Sequence, residues 1–337
     1  MAEEKINHGS GIYNDVVLSS RVRLARNIAG LPFPVRMNNV RKSEVYLRIC
    51  SILAEEKMPL RFIDMTGIYP YEAVSLAERH LISPEFASGS DSRVLALSED
   101  EKISIMLGEK DHIRIQGFSD GLDLMKAYER ADNIDNILSS RIKYAFDSRL
   151  GFLNQRPHDA GTGMRVSVMM HLPALSITGE MAKFSITASK LGFRIRGSYG
   201  DGASVKGDIF RISNHITMGI SEEQAIENLK STVLQIATKE RRAAEELIKD
   251  INVRDRINRS AGLLKNAVLL TADEMMELLS RVRFGALYGA IEADADMINN
   301  LFISMQPATL DVLAGRKLSA NEKDEIRAKT VKKIFIE

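Results

Sequence analysis

SSRVRLARN, running from Ser19 to Asn27, is the stretch on which the reading of this chain turns. It follows a short strand-like run, Val16-Val17-Leu18, and carries Arg21 and Arg23. Arginine recurs in three further segments, each strand-like or at a strand end: His112-Ile113-Arg114, Gly161-Thr162-Gly163-Met164-Arg165, and Arg194-Ile195-Arg196-Gly197. A guanidinium keeps its charge and presents a rigid fork of donors that matches phosphate oxygens in pairs. Several of them converging from different strands suit a polyphosphate, although any one alone reads as ordinary surface charge.

Outward from these segments the pattern is mixed. Ser43 to Lys57 and Tyr71 to His80 show helical spacing of apolar residues, separated by Pro59 and Pro70. Between Arg93 and Phe118 the period changes to that of a strand meander: Val94 to Leu97, Ile103 to Leu107 and Ile113 to Ile115. Leu122 to Arg149 reads as one long amphipathic helix. Met164 to His171 alternates as a strand, Pro173 opens a helix running toward Leu191, and Phe193 to Arg196 and Asp208 to Ile212 are two more strands joined by a Gly-rich loop. Ser221 is a good N-cap, after which the chain is helical almost to its end, with Lys239 to Glu246 expected to be a solvated face. The expectation is α+β, with one unit over 15–245 and a helical unit over 246–337.

The 337 residues suffice for a large core and two domains. With 46 basic and 45 acidic residues the net charge is +1, so there is no global pull toward nucleic acid or membrane, and binding must be local. Aromatic residues do not interleave with the arginines, which argues against direct nucleic-acid binding. The single cysteine, Cys50, excludes an internal disulfide or a Cys-rich metal site, and its place in an amphipathic helix predicts burial. His80, His112, His158 and His171 make no metal-ligand spacing, and Met275-Met276 reads as core. Lacking a signal-like start or a long apolar run, the protein is expected to be soluble and cytoplasmic.

Three stretches in order, SSRVRLARN (Ser19 to Asn27), GEKDHIR (Gly108 to Arg114) and GTGMRVSVMMHLP (Gly161 to Pro173), resemble the phosphagen, or guanidino, kinases. Arg79 to Pro84, Arg196 to Gly202 and the helical tail are most similar to the bacterial protein-arginine kinases of that family. The resemblance implies a catalytic domain built on an antiparallel sheet flanked by helices, followed by a helical C-terminal domain. It implies transfer of the γ-phosphoryl group of ATP, with Mg2+, to arginine side chains of protein substrates in a stress response linked to protein degradation. The nucleotide would be held by Ser19, Ser20, Arg21, Val22, Arg23, His80, Arg114, Arg165, Val166, Ser167, Val168, Met169, Arg196, Gly197, Ser198, Tyr199, Gly200 and Asp201. Such chemistry is mostly positioning and charge neutralisation, and no Walker-type Gly-Lys-Ser/Thr sequence offers another cradle.

Acceptor chemistry needs a carboxylate to orient the guanidinium and take its proton. The resemblance assigns this to Glu109 and Asp201. Lys110 stands where the family carries a second glutamate, and Arg156-Pro157-His158-Asp159 stands where it carries Cys-Pro-Thr-Asn. These changes keep open a catalytically weakened, ATP-binding or phosphoarginine-reading regulator, and a kinase of a free guanidino metabolite is a further alternative. Lys323, Asp324, Glu325, Ile326, Arg327 and Ala328 resemble the family's allosteric phosphoarginine-binding motif, with Asp324 and Arg327 on one helix face. The resemblance also implies an activator protein, a heat-shock repressor, a Clp-type protease and a homodimer.

Overall fold

The computed structural model describes residues 13–199 and 205–335. In chain order the elements are β1 (Val17–Arg26), α1 (Asn39–Glu55), β2 (Leu60–Asp64), α2 (Pro70–Glu78), α3 (Pro84–Ser88), β3 (Val94–Ser98), β4 (Ile103–Leu107), β5 (Ile113–Asp120) and α4 (Leu124–Arg141). There follow β6 (Phe146–Asp147), β7 (Gly151–Phe152), β8 (Met164–His171), α5 (Pro173–Ile177), α6 (Met181–Lys190), β9 (Phe193–Gly197) and β10 (Ile209–Asn214). The rest is helical: α7 (Glu222–Leu247), α8 (Ile251–Asn266), α9 (Ala272–Leu287), α10 (Ala295–Ser304), α11 (Pro307–Ala314) and α12 (Ala320–Val331). Eight strands form one antiparallel sheet in the order β2-β3-β4-β5-β1-β8-β10-β9, and β6 and β7 make a separate small hairpin.

Alternation divides the sheet into two unlike faces. Val22 and Leu24 of β1, Ile113 and Ile115 of β5, and Val166, Val168 and Met170 of β8 point into the main core. Against them lie Tyr46, Ile49 and Leu53 of α1, Ala127, Ala131, Ile134 and Leu138 of α4, and the apolar stripe of α7. Each Val, Leu, Ile or Met among them gains roughly 1.5–3 kcal/mol from leaving water. Gly117 of β5 lets α4 settle directly on the strand: a Cβ there would stand 2.1 Å from the Ala127 carbonyl oxygen.

The opposite face carries charge along its middle. A satellite core of Leu76, Leu81, Ile82, Phe86, Leu95 and Leu97 closes one side. Met169 and Ile209 join the core of the C-terminal helices, with Met276, Leu279 and Phe302, on the other. What lies between is a cleft.

Several local expectations are corrected. The helix expected to reach Arg149 stops at Arg141, where Ile142 turns extended. An Asx turn at Asp147, bonded to the amides of Arg149 and Leu150, then builds the hairpin. The helix begun at Pro173 breaks at Gly179 (φ +71°) into α5 and α6. Strand β2 carries no signal strong enough to anticipate after Pro59. The run Lys239 to Glu246 is not wholly solvated. Glu240 is buried and accepts hydrogen bonds from the amides of Ala174 (2.7 Å) and Leu175 (2.9 Å) at the start of α5. Cys50 is half-buried, and burial pushes its thiol up to about 11, so it is unreactive at neutral pH. Among the described residues no helix is long and apolar enough to cross a membrane.

Candidate active site

The register of β1 explains how scattered arginines meet. Arg23 lies opposite Arg165 of β8 and Gln116 of β5, while Arg21 lies opposite Ser167 and Phe118. Residues paired across antiparallel strands share a face, so Arg21, Arg23, Arg114 and Arg165 rise together from the charged side. The ladder continues outward: Met169 faces Arg211 of β10, which faces Arg196 of β9, and Ser213 faces Arg194. Seven arginines thus occupy one face of five strands.

This crowding is visible in their electrostatics. Burial, then the neighbouring charges of Arg114 and Arg165, pushes the Arg23 guanidinium down to about 9. Burial and then Arg211, with Arg23, Arg114 and Arg165 beyond it, holds Arg21 well below its ordinary range. Two carboxylates partly offset the repulsion. Glu109 pairs with Arg114 and accepts a 2.7 Å hydrogen bond from the Ser83 hydroxyl. Asp159 pairs with Arg165 at 2.7 Å. Asp111 lies 3.6 Å from Arg114 and accepts from Asn27 at 2.7 Å and the Gln155 amide at 2.9 Å, tying the 108–112 turn to the segment before Asp159.

Arg21 itself reaches only long contacts, 3.3 Å to Ser167 Oγ and 3.4 Å to Gln116 Oε1. The Nε atoms of Arg79, Arg114 and Arg165, His80 Nε2 and the Tyr199 hydroxyl are buried and find no hydrogen-bond partner among the described residues. Buried donors of this kind are costly unless something binds them. Of these, Arg79 and His80 line a cleft of ≈ 320 Å³ with Ser19, Arg21, Ser167, Met169 and Arg211, and Tyr199 lines an adjoining cavity that shares Ser19 and Met169. His80 adopts φ +61°, and its ring lies 4.9 Å from that of Tyr199. Burial, then the charges of Arg211 and Arg21, holds the imidazole well below its usual range, hence neutral. A second cavity of ≈ 420 Å³, between α5 and α8–α9, holds none of the seven arginines.

The sequence-derived residues divide on this geometry. Ser19, Arg21, Arg23, His80, Arg114, Arg165, Ser167, Met169, Arg196 and Tyr199 converge on the charged face or its rim. Ser20, Val22, Val166 and Val168 do not. Ser20 donates to the Gly121 carbonyl at 2.7 Å, and the three valines belong to the core beneath the sheet. The contiguous runs Ser19 to Arg23 and Arg165 to Met169 had to be split by alternation. Glu109 is no solvated turn residue, being sealed against Arg114 and Ser83. Gly197 lies in the ladder opposite Phe210, and Ser198 follows it. Gly200 and Asp201 lie outside the described residues. Arg211 was missed, although the alternation of Ile209 to Asn214 sets it on the face opposite Phe210 and Ile212.

Residues 43–243 match the profile of the ATP:guanido phosphotransferase C-terminal catalytic domain, and residues 250–337 that of the protein-arginine kinase McsB C-terminal domain. The chain belongs to the ATP:guanido phosphotransferase family. It is 39% identical to a protein-arginine kinase of Halothermothrix orenii over 96% of this chain and 94% of that protein. It is 41% identical to one from a Geobacillus species over 95% of this chain and 90% of the relative. The fold is shared with lombricine kinase (TM-score 0.58, 24% identity, 70% of this chain and 69% of that one). It is shared too with the duplicated taurocyamine kinase of Schistosoma mansoni (TM-score 0.61, 20% identity, 91% and 48%).

In the tail of this phosphotransferase, Asp324 and Arg327 do share one face of α12. On α12 the charged groups are already paired internally: Lys323 with Asp311 at 2.7 Å, and Arg327 with Asp324 at 2.6 Å and the Met305 carbonyl at 2.8 Å. Arg327 and Ala328 are buried, Ile326 packs on the helical core, and Glu325 reaches outward to Lys329 at 3.6 Å.

Proposed function

We propose that the protein is a protein-arginine kinase, transferring the γ-phosphoryl group of ATP to arginine side chains of other proteins. The observation that carries this reading is the buried, mutually repelling arginine face with partnerless donors along a cleft. A polyanion relieves that repulsion and satisfies those donors at once. The arginines would exchange their carboxylate partners for phosphate oxygens as the nucleotide binds. Glu109 and Asp159, released from Arg114 and Arg165, then face the incoming guanidinium, with Asp201 as a further candidate. A guanidinium nitrogen attacks the γ-phosphorus, the N–P bond forms, the bond to the β-bridging oxygen breaks, and a carboxylate takes the proton.

Magnesium supplies neutralisation between the phosphate oxygens when bound. Among the described residues no three His, Cys, Asp or Glu side chains form a metal cluster. Glu109, Asp111 and Asp159 stand beside Arg114 and Arg165, and Asp100, Glu101 and Asp120 line the cleft with Arg21, so one or two of these carboxylates would help hold the ion alongside the phosphates.

Lys110 favours a second reading, a nucleotide-binding regulator that does not turn over. Its ammonium, however, lies 3.5 Å from Glu85 and outside the arginine cluster. Incubation with Mg-ATP and an arginine-rich protein, followed by detection of acid-labile phosphate on arginine, decides between them. Phosphoarginine is expected; tight nucleotide binding without it would overturn the kinase reading. The tail motif on α12 remains, on this proposal, a phosphoarginine-responsive element whose internal ion pairs must open to admit a ligand.

A further inference from the structure

The two loops that close the acceptor side are built alike. In the 108–112 turn, Glu109 points inward with its side chain 3% exposed, and its neighbour Lys110 lies outward at 26%. In the 3-10 turn at Pro157–Asp159, Asp159 points inward at 10% exposed and His158 outward at 50%. Each loop therefore gives an acid to the arginine cluster and shows a base to solvent. Asp111 joins them, bonding both Asn27 and the Gln155 amide, so Lys110 and Arg156 stand on linked segments.

The basic rim continues from there. The rings of His158 and His215 lie 6.1 Å apart, and Thr217 bonds the carbonyls of His158 (3.0 Å) and Ala160 (2.6 Å), fixing the 215–217 segment against the turn. Arg194, opposite Ser213 in the β9–β10 ladder, adds its charge beside His215 and Arg165. Among the described residues no carboxylate is paired with Arg156 or Arg194, and Lys110 has only Glu85 at the limit of hydrogen-bond reach.

We propose that this rim, Lys110, Arg156, His158, Arg194 and His215, selects acceptor arginines that lie in acidic sequence. The inference rests on the kinase reading and names its substrate class. An arginine entering alone meets repulsion from Lys110, Arg156 and Arg194, whereas flanking aspartates or glutamates meet these cations and draw the segment into register. Burial and then Arg194 hold the His215 imidazole below its ordinary range, so that it offers a neutral ring N–H rather than a charge. A nucleic-acid strand also carries negative charge, but it brings no guanidinium for the cluster behind the rim.

Two peptides test this, each with one central arginine, flanked in one by glutamates and in the other by lysines. Binding is followed by fluorescence anisotropy with ADP present, and phosphorylation with Mg-ATP. The acidic peptide is expected to bind and react roughly tenfold better at low salt, the gap shrinking severalfold near 0.5 M salt. In the variant carrying Lys110→Gln and Arg156→Gln the preference is expected to fall to about threefold or less. Equal binding and equal rates for both peptides in the native chain would sink the proposal, as would tighter binding of a single-stranded oligonucleotide than of the acidic peptide. Phosphate on neither peptide counts against the kinase reading instead, and the binding comparison still decides the role of the rim.

Discussion

Arg23 cannot retreat from its neighbours, because the ladder fixes Arg165 on one side and Gln116 on the other. Its charge is held in place by strands whose stability comes from the opposite face, so the repulsion is maintained by the core beneath. Replacing it with methionine removes the charge while keeping the length. The Arg23→Met protein is therefore expected to melt at the same or a higher temperature than the native chain without nucleotide. It should also lack the rise in melting temperature expected of the native chain on adding ATP, measured by scanning fluorimetry. Arg23→Lys keeps the charge but loses the fork, and kcat/KM for ATP is expected to drop about 10²-fold in steady-state assays. Arg61→Lys, on the edge strand β2, serves as the unaffected control. The arginines of this cluster were legible in the sequence because arginine in strand-like segments is unusual enough to notice. Arg211 was not, since one arginine between Phe210 and Ile212 carries no message until the strand order sets it beside Met169 and Arg196.

Two contacts between elements are especially exposed to test. Where α4 crosses β5 there is no room beyond a hydrogen atom, so Gly117→Ala must push helix and strand apart. A loss of about 1–3 kcal/mol is expected from urea unfolding. Glu240 of α7 bonds the first amides of α5 from a buried position, and burial pushes its carboxyl up to about 7 despite those two hydrogen bonds, with Asp208 adding repulsion. A folded-state pKa above the unfolded one means the native state binds the proton more tightly. Its contribution is then complete below about 4.5 and is lost as pH rises toward and through about 7. The difference in stability between the native chain and Glu240→Gln should change across that window by up to ~3 kcal/mol, against the native chain at higher pH. Urea midpoints measured from pH 4.5 to 8 check this; a constant difference would refute it. The stripe of α7 was readable from its period. That one glutamate in a charge run turns inward was not, because helix periodicity alone does not say how deep a neighbouring helix start lies.

The sheet and the C-terminal helices are locked together at Arg283. This buried side chain of α9 donates to the carbonyls of Asp15 (2.9 Å) and Asn14 (2.8 Å) and to Asn299 Oδ1 (2.6 Å), and contacts His171 Nδ1 at 2.8 Å. Since Arg283 only donates, His171 accepts at Nδ1, donates from Nε2 to Ser280 at 2.9 Å, and Ser280 donates to Asp208 at 2.7 Å. The wire runs from helix to sheet and back. A second tie joins α2 to α11, where Glu78 accepts the amides of Ala308 (3.0 Å) and Thr309 (2.8 Å) one residue before Arg79 and two before His80 of the cleft. Arg283→Ala strands several buried acceptors, and an expected loss of about 3–5 kcal/mol would appear as a lower or split thermal transition. Glu78→Ala, by comparison, is expected to cost about 1 kcal/mol in the same measurement, as for other lost helix caps.

By itself the sequence determined the alternation of β1, β5 and β8, the helical end, and the kind of chemistry that arginine in those strands serves, because each depends on residue type and local period. Tertiary structure decided which half of every strand run faces the charged cleft and which is core. It also decided that Glu109 and Asp159 turn inward while Lys110 and His158 turn outward. Those outcomes follow from strand order and from loops tied across the sheet by Asp111 and Thr217, contacts between residues far apart in the chain. No local pattern records them.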